Sequence, residues 1–427
     1  MNIPRKRLLR LLVPTTAVAT TAVVGAVLTP VLSANAAAAG HGAGRARSVI
    51  FINGDGMSAA HREAARLYLT GLDGQLTMDR LPVSGQLSTS PHDPATAITD
   101  SAAAATAWAT GTKTYNGAIS VDVNRKPLPI LGRQAKAAGK STGLVTTAQV
   151  TDASPAAWFS QTADRSAQDE IARQYLAVSK PDVILGGGED WWLPAGTPGA
   201  WPDKPAEDPS EASKGTKGNL IDQAKSAGYQ YVSTAKELAK AKRGKLLGLF
   251  GNEEMFQQRP EGQGDVYSPA VDLATMTKKA LDILGTNKKG FFLFVEEEGI
   301  DEFAHENNGT RMLQAMRSLE KAVQVARAYV AAHPDTLLVV TGDHDCGGLT
   351  VEDTSDSDES GSDLSTEDGP FPVHGSKLTF VMDWTTTGHT GVDVPVTAEG
   401  PLSTLFTGKH PNTYVHEVLS QVLTSRR

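Results

Sequence analysis

The chain has 427 residues, enough for one large domain or two of ordinary size. Its 40 basic and 48 acidic residues give a formal net charge of −8, which argues against a nucleic-acid partner. It has one cysteine, Cys346, so no internal disulfide can form, and the fold must be held by its core or by metals.

The N-terminus reads as a signal peptide over residues 1–36. Arg5, Lys6, Arg7 and Arg10 form a basic start, an apolar run follows from Leu11 to Leu32, and Ala34-Asn35-Ala36 has the small-x-small form of a cleavage site. Arg5-Lys6-x-Leu8-Leu9-Arg10 is similar to a degenerate twin-arginine export signal, and the general export route stays open. An uncleaved membrane anchor is the alternative; Pro14, Pro30 and the cleavage motif count against it. Cleavage leaves 36 basic against 48 acidic residues, a charge of −12. No second apolar run reaches spanning length. The expectation is a secreted, soluble chain with no membrane anchor after cleavage. Residues 37–47 read as a small-residue spacer and 48–427 as a single catalytic domain.

The first strand is expected at 48–52, Ser-Val-Ile-Phe-Ile. It is apolar throughout rather than alternating, as strands buried on both faces are. The same signature recurs at 143–147, 182–185, 246–250, 291–295 and 336–340. Helical stretches lie between them, at 59–69, 130–138, 167–179, 219–227, 270–284 and 311–332. This alternation predicts an α/β fold: a three-layer α/β/α sandwich around a central, mainly parallel sheet. Residues 191–216, rich in Pro, Gly and acids, read as a surface excursion. Residues 352–368 hold eight acidic residues and five serines without a basic residue. They read as a solvated loop, with weak cation binding as the alternative.

One further stretch stands out, Thr99-Asp100-Ser101 followed by four alanines. The alanines favour helix, and Gly111 suits a left-handed stop just past it. Ser101 would sit at a helix N-terminus, where backbone N–H groups favour negative charge. It is either a nucleophile or a serine cap on a packing helix, and this stretch does not decide which.

The residues that follow the strands bear on that choice. Asp55 follows the first strand, Asp152 and Ser154 follow the 143–147 strand, Glu296 follows the 291–295 strand with Asp301 and His305 beyond it, and Asp343 and His344 follow the 336–340 strand. Ligands bind outside the carboxyl ends of such strands. Carboxylates do not crowd without positive charge among them, and divalent metal supplies it. Asp301 and His305 are i, i+4 and share one helix face. Mixed Asp/His donors suit zinc; the oxygen donors of Asp55, Ser154 and Glu296 suit magnesium.

Six segments resemble the alkaline phosphatase family, in order. They are Phe51-Ile52-Asn53-Gly54-Asp55-Gly56-Met57; the Ser101 stretch with Gly111-Thr112-Lys113-Thr114-Tyr115-Asn116-Gly117; Asp152-Ala153-Ser154-Pro155 with Arg165; Glu296 to Asp301 to His305; Thr341-Gly342-Asp343-His344; and Thr387-Gly388-His389-Thr390-Gly391. The resemblance implies a phosphomonoesterase with two Zn2+ and one Mg2+. Asp301, His305 and His389 would hold the first zinc. Asp55, Asp343 and His344 would hold the second, with Ser101 as a further ligand. Asp55, Ser154 and Glu296 would hold magnesium. Ser101 would attack phosphorus to give a phosphoserine, and Arg165 would grip two phosphoryl oxygens as a fork.

Glu302 departs from the family pattern. Well-known bacterial members have a lysine there, paired with the aspartate that matches Asp152. Here Asp152 and Glu302 are both acidic, an arrangement that could tighten the magnesium shell, weaken phosphate affinity or recruit another cation. Asp100 is expected either to orient Arg165 or to cap the helix. Cys346 is taken as packing. The partners expected are small-molecule phosphate monoesters, with an exported phosphorylated antibiotic precursor as a narrower substrate. Relatives are often dimers, and a homodimer stays open. A phosphodiesterase of the same superfamily is the alternative chemistry; Arg165 argues against it, since a diester lacks one of the oxygens to be gripped. The missing Cys-x-Pro-x-Arg segment argues against a sulfatase.

Overall fold

The computed structural model describes residues 46–202, 212–256, 266–354 and 366–425. The expected signal peptide, the spacer up to residue 45, and parts of the 191–216 and 352–368 stretches lie outside the described residues.

The chain begins with β1 (Ser48–Gly54), α1 (Ala59–Thr70), β2 (Val83–Ser88), α2 (Ser101–Thr110), α3 (Leu131–Ala137) and β3 (Ser141–Gln149). It continues through α4 (Ala153–Ala157), α5 (Gln168–Gln174), β4 (Val183–Gly187), α6 (Leu220–Ser226), β5 (Gln230–Val232), α7 (Ala235–Lys240) and β6 (Leu246–Leu249). Then come α8 (Leu273–Leu284), β7 (Phe291–Glu297), α9 (Gly299–His305), α10 (Gly309–Ala332), β8 (Thr336–Thr341), β9 (Asp345–Cys346) and β10 (Leu349–Glu352). The last are β11 (Thr366–Pro372), β12 (Thr379–Trp384), β13 (His389–Thr390), β14 (Val394–Glu399), β15 (Gly408–Pro411) and α11 (Tyr414–Leu423).

Ten strands form one sheet in the order β15-β2-β14-β8-β1-β7-β3-β4-β6-β5. From β8 to β5 every pairing is parallel. The antiparallel exception is β14, which pairs with β8 and β2. Alternation along each central strand builds two cores, because successive side chains leave opposite faces. Ile50, Ile52, Leu293, Val295, Leu338 and Val340 pack on one side with α1, α8, α9 and α10. Val49, Phe51, Phe292, Phe294, Leu337 and Val339 pack on the other with α2, α3, α4 and α11. The result is the expected three-layer α/β/α arrangement. Phe51, fully buried, lies 5.0 Å from the Trp108 ring of α2; such a side chain contributes about 1.5–3 kcal/mol by burial. The alanines of α2 let that helix approach closely, and all ten of its residues are buried.

The 167–179 helix ends early: α5 stops at Gln174, and residues 175–179 form a wider turn. The acidic stretch is not a solvated loop throughout. Its last residues enter β11, where buried Asp368 accepts the Gly309 N–H at the start of α10. A carboxylate there satisfies an N–H that the helix itself leaves without a partner. The strands β2, β14 and β15 extend the sheet beyond its legible centre.

Candidate active site

The carboxyl ends of β1, β3, β7 and β8 lie side by side, because these strands are parallel neighbours in the sheet. Each delivers its polar residues to one edge. His389 arrives differently: β13 pairs antiparallel with β9, placing His389 opposite Cys346. All ten residues expected to bind metal or phosphate fall in this region, and the oxygens and nitrogens form three groups around Asp55.

In the first group, His305 Nε2 is 3.1 Å from Asp301 Oδ2 and 3.1 Å from His389 Nε2. The other ring nitrogens are occupied. His305 Nδ1 donates to the Thr387 carbonyl (2.6 Å) and His389 Nδ1 to the Thr99 carbonyl (3.0 Å). These bonds fix the tautomers so that both Nε2 atoms turn inward. In the second group, His344 Nε2 lies 3.3 Å from Asp343 Oδ2, 3.5 Å from Asp55 Oδ1 and 3.2 Å from Ser101 Oγ. In the third, Ser154 Oγ donates to Asp55 Oδ2 (3.4 Å). Glu296 is oriented beside it by Asn53 Nδ2 (3.2 Å) and Thr146 Oγ1 (2.7 Å).

The donors fit divalent cations. Asp301, His305 and His389 converge within one ion's reach, as do Asp55, Asp343 and His344. Among the described residues, buried Asp301 Oδ1 and Asp343 Oδ2 have no hydrogen-bond partner, a costly state unless a cation meets them. Proton affinities point the same way. Burial, then Asp343 and Asp301, push the Asp55 carboxyl well above the usual range. Burial and then Asp301 lift Asp343 to about 7. Burial, opposed by the Thr146 hydrogen bond and aided by Asp152, lifts Glu296 to about 8. Burial would raise Asp301 too, but the His305 and His389 imidazoles beside it hold it well below the usual range. The hydrogen bond to Asp301 in turn raises His305 to about 9. Protons hold these carboxylates together where a divalent ion would displace them.

Ser101 is not the helix cap. Asp100 is: its Oδ1 accepts the Ala103 N–H (2.9 Å). Ser101 is therefore the first helical residue, its hydroxyl turned toward His344 and Asp55 rather than used for capping. Asp100 also does what was set against capping. Its Oδ2 accepts the Gly117 N–H (2.8 Å) and lies 3.5 Å from Arg165 Nη1. Asp152 takes Arg165 Nη2 at 2.9 and 3.1 Å. Two aspartates thus hold the guanidinium from behind, at the mouth of the site.

Cys346 lies in the first group by position. Burial and then Asp301 push its thiol far up, so it stays a neutral donor there, in keeping with packing. The sequence reasoning passed over Glu297 and Glu298, the continuation of the Glu296 run. Both are buried. Glu297 accepts from Tyr267 (2.6 Å), Thr147 (2.8 Å) and the Gly299 N–H (3.2 Å). Three consecutive glutamates at a strand end were the available signal.

A family model described as alkaline phosphatase matches residues 46–374. The streptomycin-6-phosphate phosphatase of Streptomyces griseus is 35% identical, over 95% of this chain and 97% of its own length. The alkaline phosphatase of Escherichia coli is 33% identical, over 83% of this chain and 81% of its own. Among solved structures, a cold-active alkaline phosphatase from the psychrophile Shewanella sp. is similar, with a TM-score of 0.71 and 32% identity, over 88% of this chain and all of the other. The Thermus thermophilus alkaline phosphatase shares the fold, with a TM-score of 0.74 and 24% identity over 90% and 93% of the two chains.

Proposed function

This chain belongs to the alkaline phosphatase family and is a hydrolase of phosphate monoesters, and from that premise we propose that Ser101 is its nucleophile, working with two zinc ions and one magnesium ion. The observation that carries this reading is the Ser101 hydroxyl, released from capping by Asp100 and aimed at the Asp55–His344 group.

Asp301, His305 and His389 would hold one zinc; Asp55, Asp343 and His344 the other; Asp55, Ser154 and Glu296 the magnesium. When bound, the zinc ions would lower the pKa of the serine hydroxyl and of an attacking water, and would neutralise charge on the entering and leaving oxygens. Arg165 grips two phosphoryl oxygens with its fork, and Asp100 and Asp152 keep that fork facing the phosphate. Ser101 Oγ attacks phosphorus in line, the alkoxide leaves, and a phosphoserine remains. Water then attacks the same phosphorus from the vacated side and returns the serine. The N–H groups at the start of α2 favour the negative charge that Ser101 carries in both steps.

The chain is exported through its N-terminal signal, and 48–427 acts as one catalytic domain. Its substrates are small phosphate monoesters. The likeness to a streptomycin-6-phosphate phosphatase along nearly the whole chain favours a narrower reading, the phosphate ester of an exported antibiotic precursor.

The test compares p-nitrophenyl phosphate with its bis-ester and with p-nitrophenyl sulfate, with and without chelator, in wild type and Ser101→Ala. The monoester should be the preferred substrate. Chelator and Ser101→Ala should each abolish turnover, and acid quenching should trap phosphate on wild-type Ser101. Turnover indifferent to both would sink the mechanism.

A further inference from the structure

The glutamate run at the end of β7 divides by partner. Glu296 and Glu297 each receive hydrogen bonds from protein donors. Among the described residues, the Glu298 side chain receives none: it is 5% exposed, and its buried Oε2 has no partner. It precedes α9 without making a side-chain capping bond. Leaving an ionised carboxylate in that state costs several kcal/mol.

Its surroundings are acidic. Glu302 lies one turn further along α9, its N–H bonded to the Glu298 carbonyl (3.3 Å), so the two side chains leave the same face. Asp152 and Glu254 face them from outside the helix, and all four carboxylates bear on Glu298 or on one another. Asp152 is anchored by Arg165, and Glu254 by Gln149 Nε2 (2.7 Å). The guanidinium of Arg165 is shared between Asp152 and Asp100. The nearby Lys214 ammonium is bound to Glu253 (2.7 Å). Asp152, Glu254 and Glu302 thus bear on the Glu298 carboxylate, and among the described residues the nearby Arg165 and Lys214 are already bound to carboxylates. The donors of the three ions proposed above are other residues, so none of those ions meets the Glu298 carboxylate.

We propose that a fourth divalent cation, of the magnesium or calcium class, is held between Asp152, Glu254, Glu298 and Glu302. The donors are all carboxylate oxygens, which select a hard ion over zinc. Magnesium keeps several of its waters, so the four side chains can hold it partly through water without closing to direct contact. Glu298 is the buried anchor. Glu254 and Glu302, less deeply buried, form the side through which the ion enters. An ion here would hold Asp152, which itself holds Arg165, and so fix the position of the phosphate clamp.

The experiment is elemental analysis of full-length protein stripped by chelation, reloaded with zinc, magnesium and calcium, and desalted. Wild type should retain two zinc and two hard cations per chain. Glu298→Gln/Glu302→Gln should retain two zinc and one hard cation. Equal hard-cation content in the two proteins overturns the proposal. Zinc content tests the two-zinc reading separately, because these substitutions leave its donors in place. Should the double variant fail to fold, Glu254→Gln takes its place. Calcium titrated calorimetrically into zinc- and magnesium-loaded protein should then bind about tenfold more weakly than to wild type, and unchanged binding overturns the proposal. An acidic pocket built for a cationic substrate gives another pattern. Wild type would hold no fourth ion, and Glu298→Gln would lower kcat/KM for choline phosphate but not for its neutral isostere 3,3-dimethylbutyl phosphate. That result also overturns the proposal.

Discussion

Replacing Arg165 with alanine removes the fork but none of the metal donors. The Arg165 side chain is 33% exposed and is held by Asp152 at 2.9 Å and Asp100 at 3.5 Å. On the proposed mechanism its remaining N–H groups are those offered to phosphate. A hydrogen bond to a charged group contributes about 1.5–3 kcal/mol, and partial exposure places these bonds toward the low end. Two such bonds amount to about 3–4 kcal/mol, or roughly a 10²–10³-fold loss in kcat/KM at about 1.4 kcal/mol per decade. Arg165→Lys keeps the charge without the fork, and should recover part of the loss. The assay is kcat/KM for p-nitrophenyl phosphate against bis-p-nitrophenyl phosphate. A diester offers one fewer charged oxygen, so its slower hydrolysis should fall much less. Equal losses on the two substrates would show that Arg165 acts through the fold or the metals, and would refute the clamp.

Gly56→Ala should disturb the first metal group most directly. Gly56 has φ +67°, and an added Cβ would meet Asp301 Oδ1 at 2.5 Å; zinc affinity by equilibrium dialysis should fall at least tenfold, and an unchanged affinity would count against the Asp301 assignment. Glu302→Lys should tighten inhibition by product phosphate, measured as a lower inhibition constant; no change would remove Glu302 from any influence on the phosphate. The metal-free protein should lose stability as pH rises. Burial and neighbouring acids hold Asp343 at about 7 and Glu296 at about 8 in the fold, against about 4 when unfolded. Between those values the folded state binds more protons, so its stability falls with rising pH. Melting temperature without metals should drop between pH 5 and about 8.5, while the metal-loaded protein holds; a metal-free protein that gains stability over that range would refute the assignment of these carboxylates to one crowded centre.

The sheet's centre was legible because strands buried on both faces leave an unbroken apolar run, as at Val49–Ile52 and Phe291–Val295. The flanking strands were not. β2 carries Gly85 and exposed polar residues, and β14 carries Pro395, which lacks the N–H of a ladder residue. Pro395 lies where β14 pairs with β2 alone, before its pairing with β8 begins at Val396, and its carbonyl still accepts from Arg62 and Thr341. At the site, motif order pointed to the residue types, but no spacing tells which aspartate caps α2. Ser101 and Asp100 are both good caps by type, and the backbone chose Asp100. Likewise the Glu296-Glu297-Glu298 run shows three acids, and only the packed structure separates the one that Asn53 and Thr146 bond from the one left without a donor among the described residues.

The groups that converge at the sheet edge are also dispersed along the chain, from Asp55 at the end of its first strand to His389 on one of its last. A nascent chain that has emerged through β8 already carries Asp55, Ser101, Ser154, Glu296, Asp301 and His305, yet it cannot assemble the first group, because His389 is still to be made. Parallel strands joined by long crossovers are slow to pair, so the donors meet late in folding as well as late in synthesis. On the proposed mechanism, assembly of the reactive centre is thereby tied to completion of the chain, and a truncated or half-folded copy would carry the serine without the means to activate it.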